Sequence, residues 1–139
     1  AQMSPFPHGP GLSTKLVNYR AGSTRSRTYL GRPVETGSLP PNAFGLHEMT
    51  GNTWEWCADW YRPDEYARRK MAGGVADNPL GPKASLDPTH GAAPRRVTRG
   101  GSFLCHESYC ESYRNAARRG TDPDTGISHV GFRCVQGPG

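Results

Sequence analysis

Arg99-Gly100-Gly101-Ser102-Phe103-Leu104-Cys105-His106-Glu107-Ser108-Tyr109-Cys110 is the stretch whose reading decides the fold. It reads as a strand leading into a loop. Phe103 and Leu104 supply apolar character, and Gly100 and Gly101 let another backbone or a ligand approach without an intervening side chain. Cys105 and Cys110 stand four residues apart, a wider gap than the two residues of a zinc knuckle or a thioredoxin-like dithiol. Two thiolates at this open spacing suit a soft metal, with Cu(I) the leading candidate because it tolerates low-coordinate sulfur. A disulfide, or two separately buried cysteines, is the plainer alternative and stays open at this level.

The flanks sharpen the reading. Gly51-Asn52-Thr53-Trp54-Glu55-Trp56, the central stretch, Tyr113-Arg114-Asn115-Ala116-Ala117-Arg118 and Gly131-Phe132-Arg133-Cys134 follow one another in that order. Together they resemble the C-terminal half of the formylglycine-generating enzymes, or sulfatase-modifying factors, from about Pro33 to Val135. The resemblance implies an α+β, loop-rich fold of the C-type-lectin-like kind, with 1–139 one domain corresponding to the C-terminal part of the family domain.

Composition agrees with such a fold. Hydrophobic residues make up 34% of 139 residues, while Gly and Pro number 18 and 13, so turns and irregular backbone must dominate. Three Trp, six Tyr and four Phe concentrate burial in a few large side chains. The net charge of +5 is scattered over several arginine clusters without a nucleic-acid motif, so a solvated basic surface is expected and no nucleic-acid partner. No apolar run is long enough to span a membrane, and the four cysteines do not make a disulfide scaffold at this length. The chain therefore reads as soluble, with no membrane partner, and as cytoplasmic if its source is bacterial.

Residues 1–32 are rich in Pro, Gly, Ser, Thr and Arg and read as an extended lead-in. A turn or short helical piece is expected over 43–49. From Trp54 to Tyr61 the alternation predicts a strand, with Trp54 and Trp56 on one face and Glu55 and Cys57 on the other. Residues 62–95 form a long surface connection, with one or two helical turns between Asp64 and Met71 before Gly73-Gly74; four prolines exclude anything longer. Tyr109 to Ala117 carries helical spacing, but the resemblance implies a strand, and the strand is the expectation adopted. A final strand is expected over Val130–Val135, followed by a tail.

Glu55 between two tryptophans poses a question of charge, since a buried carboxylate normally finds a cation. An arginine is the ordinary answer. A Ca²⁺ ion is the other, and the resemblance implies that Glu48, Gly51, Thr53 and Glu55 hold one. It further implies an oxidase that uses Cu(I) and O₂ to convert the cysteine of a Cys-x-Pro-x-Arg motif in a client sulfatase polypeptide to Cα-formylglycine. Cys105 and Cys110 would bind copper, Ser102 and Trp54 would line the oxygen pocket, and Tyr109 would be a nearby phenol, the protein acting as a monomer. His106 is assigned a structural or surface role, because neighbours in extended backbone point to opposite faces. Arg114 and Arg118 are read as packing or ion-pair residues. A non-catalytic lectin-like binding or structural domain is the alternative, since the superfold serves both. A relative of the iron-dependent sulfoxide synthases is disfavoured, because those enzymes bind iron through histidines of another domain.

Overall fold

A computed structural model describes residues 4–22 and 28–136. Its regular elements are strand β1 (Trp54–Trp60), helix α1 (Glu65–Ala72) and strands β2 (Arg96–Arg99), β3 (Arg119–Thr121) and β4 (Val130–Gly131). They form an α+β, loop-rich fold around a sheet of order β3-β2-β1-β4. β1 runs antiparallel to β2, pairing Glu55 with Arg99 and Trp60 with Arg96 around an irregularity after Trp56. It runs parallel to β4, where Trp54 faces Val130. The aromatic, alternating segment thus takes the inner position, the place where large β-formers gain most from packing.

α1 arises where the sequence places Glu65 at the start of a helix and two arginines one turn later. Glu65 is buried and holds Arg68 at 2.9 Å and Arg69 at 2.7 Å, and Gly73, at φ 71°, ends the helix. The Tyr66 hydroxyl donates to the Ala116 carbonyl at 2.9 Å. Beyond α1 the chain is irregular to Arg95, as the prolines demand, and is pinned by buried Asp87, which takes Arg95 at 2.7 Å and the Thr89 hydroxyl at 2.7 Å.

The core is small: Val17, Trp54, Val97, Phe103, Cys105 and Tyr113 are its buried hydrophobic members. Val17 belongs to the lead-in, whose described part thus contributes to the core. Asn18 bridges to Gly51 in parallel fashion, and its carboxamide donates to the Arg32 carbonyl at 3.0 Å and to Asn52 Oδ1 at 3.1 Å. Asn52 in turn accepts the Val34 amide at 2.8 Å and donates to the Val34 carbonyl at 3.2 Å, serving that residue as a neighbouring strand would. Residues 1–3 and 23–27 of the lead-in lie outside the described residues, as does 137–139 of the expected tail.

Two local expectations change, and at a third place one of two expected options is taken. Tyr109 to Ala117 is neither strand nor helix but a succession of turns, closed by the Cys110 amide on His106 O at 2.8 Å and the Ala117 amide on Arg114 O at 2.9 Å. The bond from Cys105 to Cys110 draws the segment's start into a tight ring, and the Asn115 amide donates to Pro5 O at 2.9 Å, so no partner strand is left to extend it. The final strand shortens to Val130–Gly131, since Phe132 onward is exposed. Residues 43–49 take the turn rather than the helical option, Asn42 Oδ1 accepting the Phe44 and Leu46 amides at 2.9 and 3.1 Å.

Candidate active site at the paired cysteines

β2 delivers the chain to Gly100 and Gly101, whose φ values of 87° and 72° turn it back over the sheet. A Cβ on Gly101 would come within 3.2 Å of both Cys105 Sγ and the Tyr113 amide. The two glycines are thus what allows the loop to close on its own cysteine. The Ser102 carbonyl accepts the Cys105 amide at 2.9 Å, and the Ser102 amide donates to Cys105 Sγ at 3.5 Å. Cys105 and Cys110 are joined as a disulfide with a Cα separation of 5.1 Å. Of the sequence alternatives for the pair, the structure shows the two sulfurs together and oxidised. Cys105 is buried, whereas Cys110 is only half-buried.

The expected site residues divide. Trp54 and Cys105 share one buried cluster. Ser102 is buried beside them, its Oγ accepting the Leu104 amide at 3.3 Å. Tyr109 lies on the rim, 62% exposed, with its hydroxyl donating to Leu104 O and its ring stacked on His106. The phenol inside the cluster is Tyr113, 5% exposed, with ring centroids 5.8 Å from Tyr19 and 6.1 Å from Phe6. Burial pushes the phenols of Tyr113 and Tyr19 up, and the carboxylate of Glu107 adds to this in both. The sequence reading used Tyr113 as the first residue of the Tyr113–Arg118 motif and gave it no role in the site. Its signal was the spacing of three residues from Cys110, which the tight ring turns inward.

His106 holds a local role, its ring bonded to the Ser108 hydroxyl at 2.7 Å. Arg114 is exposed and pairs with Glu111 at 3.1 Å, so it is not a buried ion-pair residue. Arg118 packs as expected, its guanidinium 5.7 Å from the Tyr61 ring centre and 5.1 Å from that of Tyr66.

Of the residues expected around Ca²⁺, Glu48, Gly51 and Thr53 precede β1 and Glu55 lies within it. Glu48 is buried, and its two carboxylate oxygens accept the Gly37 and Leu39 amides, each at 2.9 Å. Arg133 donates to Glu48 O at 3.2 Å and to Glu55 Oε1 at 3.3 Å, which is the arginine answer to the charge of Glu55. Glu55 Oε2 is buried without a hydrogen-bond partner. Burial raises this carboxyl above its ordinary range, with Arg133 and Thr53 opposing the shift. The donor set therefore fits a cation in part: Glu55 has an oxygen to offer, while the Glu48 carboxylate already serves the 37–39 loop. Cys57 and Cys134 are free thiols, and burial pushes that of Cys57 up. A groove of about 660 Å³ runs past Glu55 and Trp56, with Phe6 and Pro7 among its walls.

A profile of the sulfatase-modifying factor enzyme 1-like domain matches residues 11–138. The chain belongs to this family. Among curated members, it is 47% identical over 108 residues to the formylglycine-generating enzyme of Thermomonospora curvata, covering 74% of this chain and 32% of that protein. It is 41% identical over 103 residues to the Bos taurus formylglycine-generating enzyme, covering 74% and 23% respectively. This family chain thus spans a third or less of the length of those relatives. Among solved structures, PvdO from Pseudomonas aeruginosa superposes with a TM-score of 0.57 at 25% identity, over 92% of this chain and 42% of that one. Among the described residues, no helix is long and apolar enough to cross a membrane.

Proposed function

We propose that this domain carries the catalytic cysteine pair of a copper-dependent oxidase that converts the cysteine of a Cys-x-Pro-x-Arg motif in a sulfatase polypeptide to Cα-formylglycine with O₂. The observation that carries the reading is the pair itself: two sulfurs brought together by a glycine-hinged loop, one buried against Trp54 and the other half-buried. Once reduced, they are adjacent soft donors and fit Cu(I). Among the described residues no three His, Cys, Asp or Glu side chains converge as a metal cluster, so the third sulfur in this reading is the client's own cysteine. Bound Cu(I) supplies the one-electron chemistry that lets O₂ react with a side chain.

The residues act around that centre. Reduced Cys105 and Cys110 bind as thiolates, Cys110 from the more open side, where a client enters. The Ser102 amide faces Cys105 Sγ and stabilises negative charge on it. The Ser102 hydroxyl keeps a proton to donate to reduced oxygen, and Trp54 excludes water from the inner wall. Going from a thiol-bearing carbon to an aldehyde with release of H₂S yields two electrons, while reduction of O₂ to water takes four. An external thiol supplies the remaining two, and the same reductant opens the disulfide before the first turnover. Ca²⁺ in this reading is held by Glu55 with the Gly51 and Thr53 carbonyls and with Glu48 on its flank. The protein acts as a monomer.

The disulfide favours one other reading, in which the pair staples a lectin-like binding or structural domain. The two separate in the complete parent protein supplied with Cu(I), O₂ and a thiol. A Cys-x-Pro-x-Arg peptide is expected to lose sulfur and gain a carbonyl by mass spectrometry, and Cys110→Ala is expected to abolish this. Equal yield from both proteins, or none from the copper-loaded parent, would leave the staple.

A further inference from the structure

The ring closed by Cys105 and Cys110 carries a charge that the proposed chemistry leaves unused. Glu107 lies inside the ring, two residues after Cys105, so its Cα is within about 7 Å of that of Cys105. The Tyr109 and Cys110 amides both donate to His106 O, at 3.1 and 2.8 Å, and the His106 ring bonds to the Ser108 hydroxyl at 2.7 Å, which pins the turn on either side of Glu107. Glu107 is exposed, and among the described residues it has no ion-pair partner. Glu111, directly after Cys110, is by contrast engaged by Arg114 at 3.1 Å. Arg20 also borders the pair, its amide donating to the Cys105 carbonyl at 3.0 Å. At the Tyr113 phenol Glu107 and Glu111 outweigh Arg114, and Glu107 acts on the Tyr19 phenol as well. On a chain of net charge +5, the mouth of the pair is thus a negative spot.

We infer that Glu107 is a specificity-determining residue of the Cys105–Cys110 site, selecting by charge the thiol that opens the pair: thiols bearing a cation are admitted and anionic ones are held off. The step is thiol–disulfide exchange. Cys110 is the half-buried, more reachable sulfur, so the incoming thiolate bonds to Cys110 Sγ and the S–S bond breaks, its electron pair leaving on Cys105 Sγ. The Ser102 amide, 3.5 Å from that sulfur, meets the new negative charge. A second thiolate then takes the first from Cys110, so two electrons pass from two thiols, the external disulfide is released, and both cysteines take up the protons that the thiols gave to solvent. Negative charge is thus carried up to the ring from outside and spread over three sulfurs, while a fixed carboxylate on the ring opposes it. At about 7 Å through solvent, one unit of charge changes the rate by about threefold. An ammonium on the incoming thiol cancels that penalty, and a carboxylate on it adds a second one. This role rests on the external thiol of the proposed reaction, whereas the exchange itself needs neither copper nor client.

The test follows reduction of the oxidised protein by cysteamine, 2-mercaptoethanol and 3-mercaptopropionate, whose thiolates are neutral, singly negative and doubly negative overall. Lys-Cys-Lys and Glu-Cys-Glu peptides stand for a polypeptide donor, and alkylation with mass spectrometry reads both cysteines. Each thiol is compared between the parent and Glu107→Gln, so its intrinsic reactivity cancels. The variant is expected to leave the cysteamine rate within about twofold, to raise that of mercaptoethanol about threefold and to raise that of mercaptopropionate about tenfold. Molar salt is expected to collapse these differences, and Glu107→Asp to keep the parent order. Grading by charge in either the small thiols or the peptides supports the assignment and shows which kind of donor the mouth admits. An equal rise for every thiol, the signature of a loosened ring, would overturn it, as would unchanged rates or a grading that survives molar salt. Such a failure leaves aldehyde formation by the copper-loaded parent intact, whereas failure of the catalytic reading abolishes the aldehyde and leaves the charge grading in place.

Discussion

Glu55 and Asp87 are carboxylates that the fold shifts in opposite directions. The Thr89 hydroxyl and the Arg95 guanidinium hold Asp87 down at about 2, against an ordinary 3.8. Its ionised form is favoured in the folded state, so its contribution is fully present above pH 3.8 and is lost as pH falls through about 2. Glu55 is raised by burial, so the folded state binds its proton more tightly than the unfolded chain, and stability falls as pH climbs past 4.5. Asp87→Asn is expected to flatten the acid limb of a denaturation midpoint plotted against pH. Glu55→Gln, in chelator, is expected to remove the decline above pH 4.5 and to match or exceed the parent at pH 7. Adding Ca²⁺ is expected to raise the parent's midpoint and leave that of Glu55→Gln unmoved; no rise in the parent would assign Glu55 to Arg133 alone. Chemical type and neighbours made Glu55 visible in the sequence as a carboxylate needing a cation. The choice of Arg133 was not visible, because that partner lies 78 residues away.

At the scale of elements, what was legible followed from local rules. β1 announced itself by alternating tryptophans bounded by Gly-Asn, and α1 by its short run from Asp64 to the glycine pair. The segment from Tyr109 to Ala117 was not legible, because a ring of six residues and a distant tie to Pro5 override the periodicity of its side chains. The same distinction explains why the glycine pair and the cysteines were placed in the site while Tyr113 was overlooked. α1 touches the body through few groups, chiefly Tyr66 on Ala116 O and the Arg118 guanidinium against Tyr61 and Tyr66, with Arg118 also donating to Arg62 O at 3.1 Å. Arg118→Ala is therefore expected to cost about 1–2 kcal/mol. Hydrogen exchange should show amides of Glu65–Ala72 losing protection more than those of β1 and β2; an even loss across all three would mean that Arg118 supports the sheet instead.

Across the whole molecule, the lead-in joins the body at one crowded place. Gly51 has φ 71°, and a Cβ there would meet the Asn18 carbonyl and come within 2.8 Å of Val17 Cγ1. Gly51→Ala combines a strained backbone with overpacking, so a loss of about 2–3 kcal/mol is expected in urea denaturation; a cost near zero would mean that the lead-in is not held against the body. The sequence did not show that Val17 is core, since Leu16, Val17 and Tyr19 are scattered apolar points that carry no clear period. The ties from Asn115 back to Ser4 and Pro5 also bear on how the protein is made. On a ribosome, residue 4 emerges 111 residues ahead of its fastener, and β1 emerges before either of its sheet neighbours. At roughly 5–20 residues per second this is a wait of about 6–22 seconds, during which Phe6 lacks the Tyr113 ring on which it packs. The tie from Asn115 to Ser4 and Pro5 can therefore close only after β1 and β2 have been made.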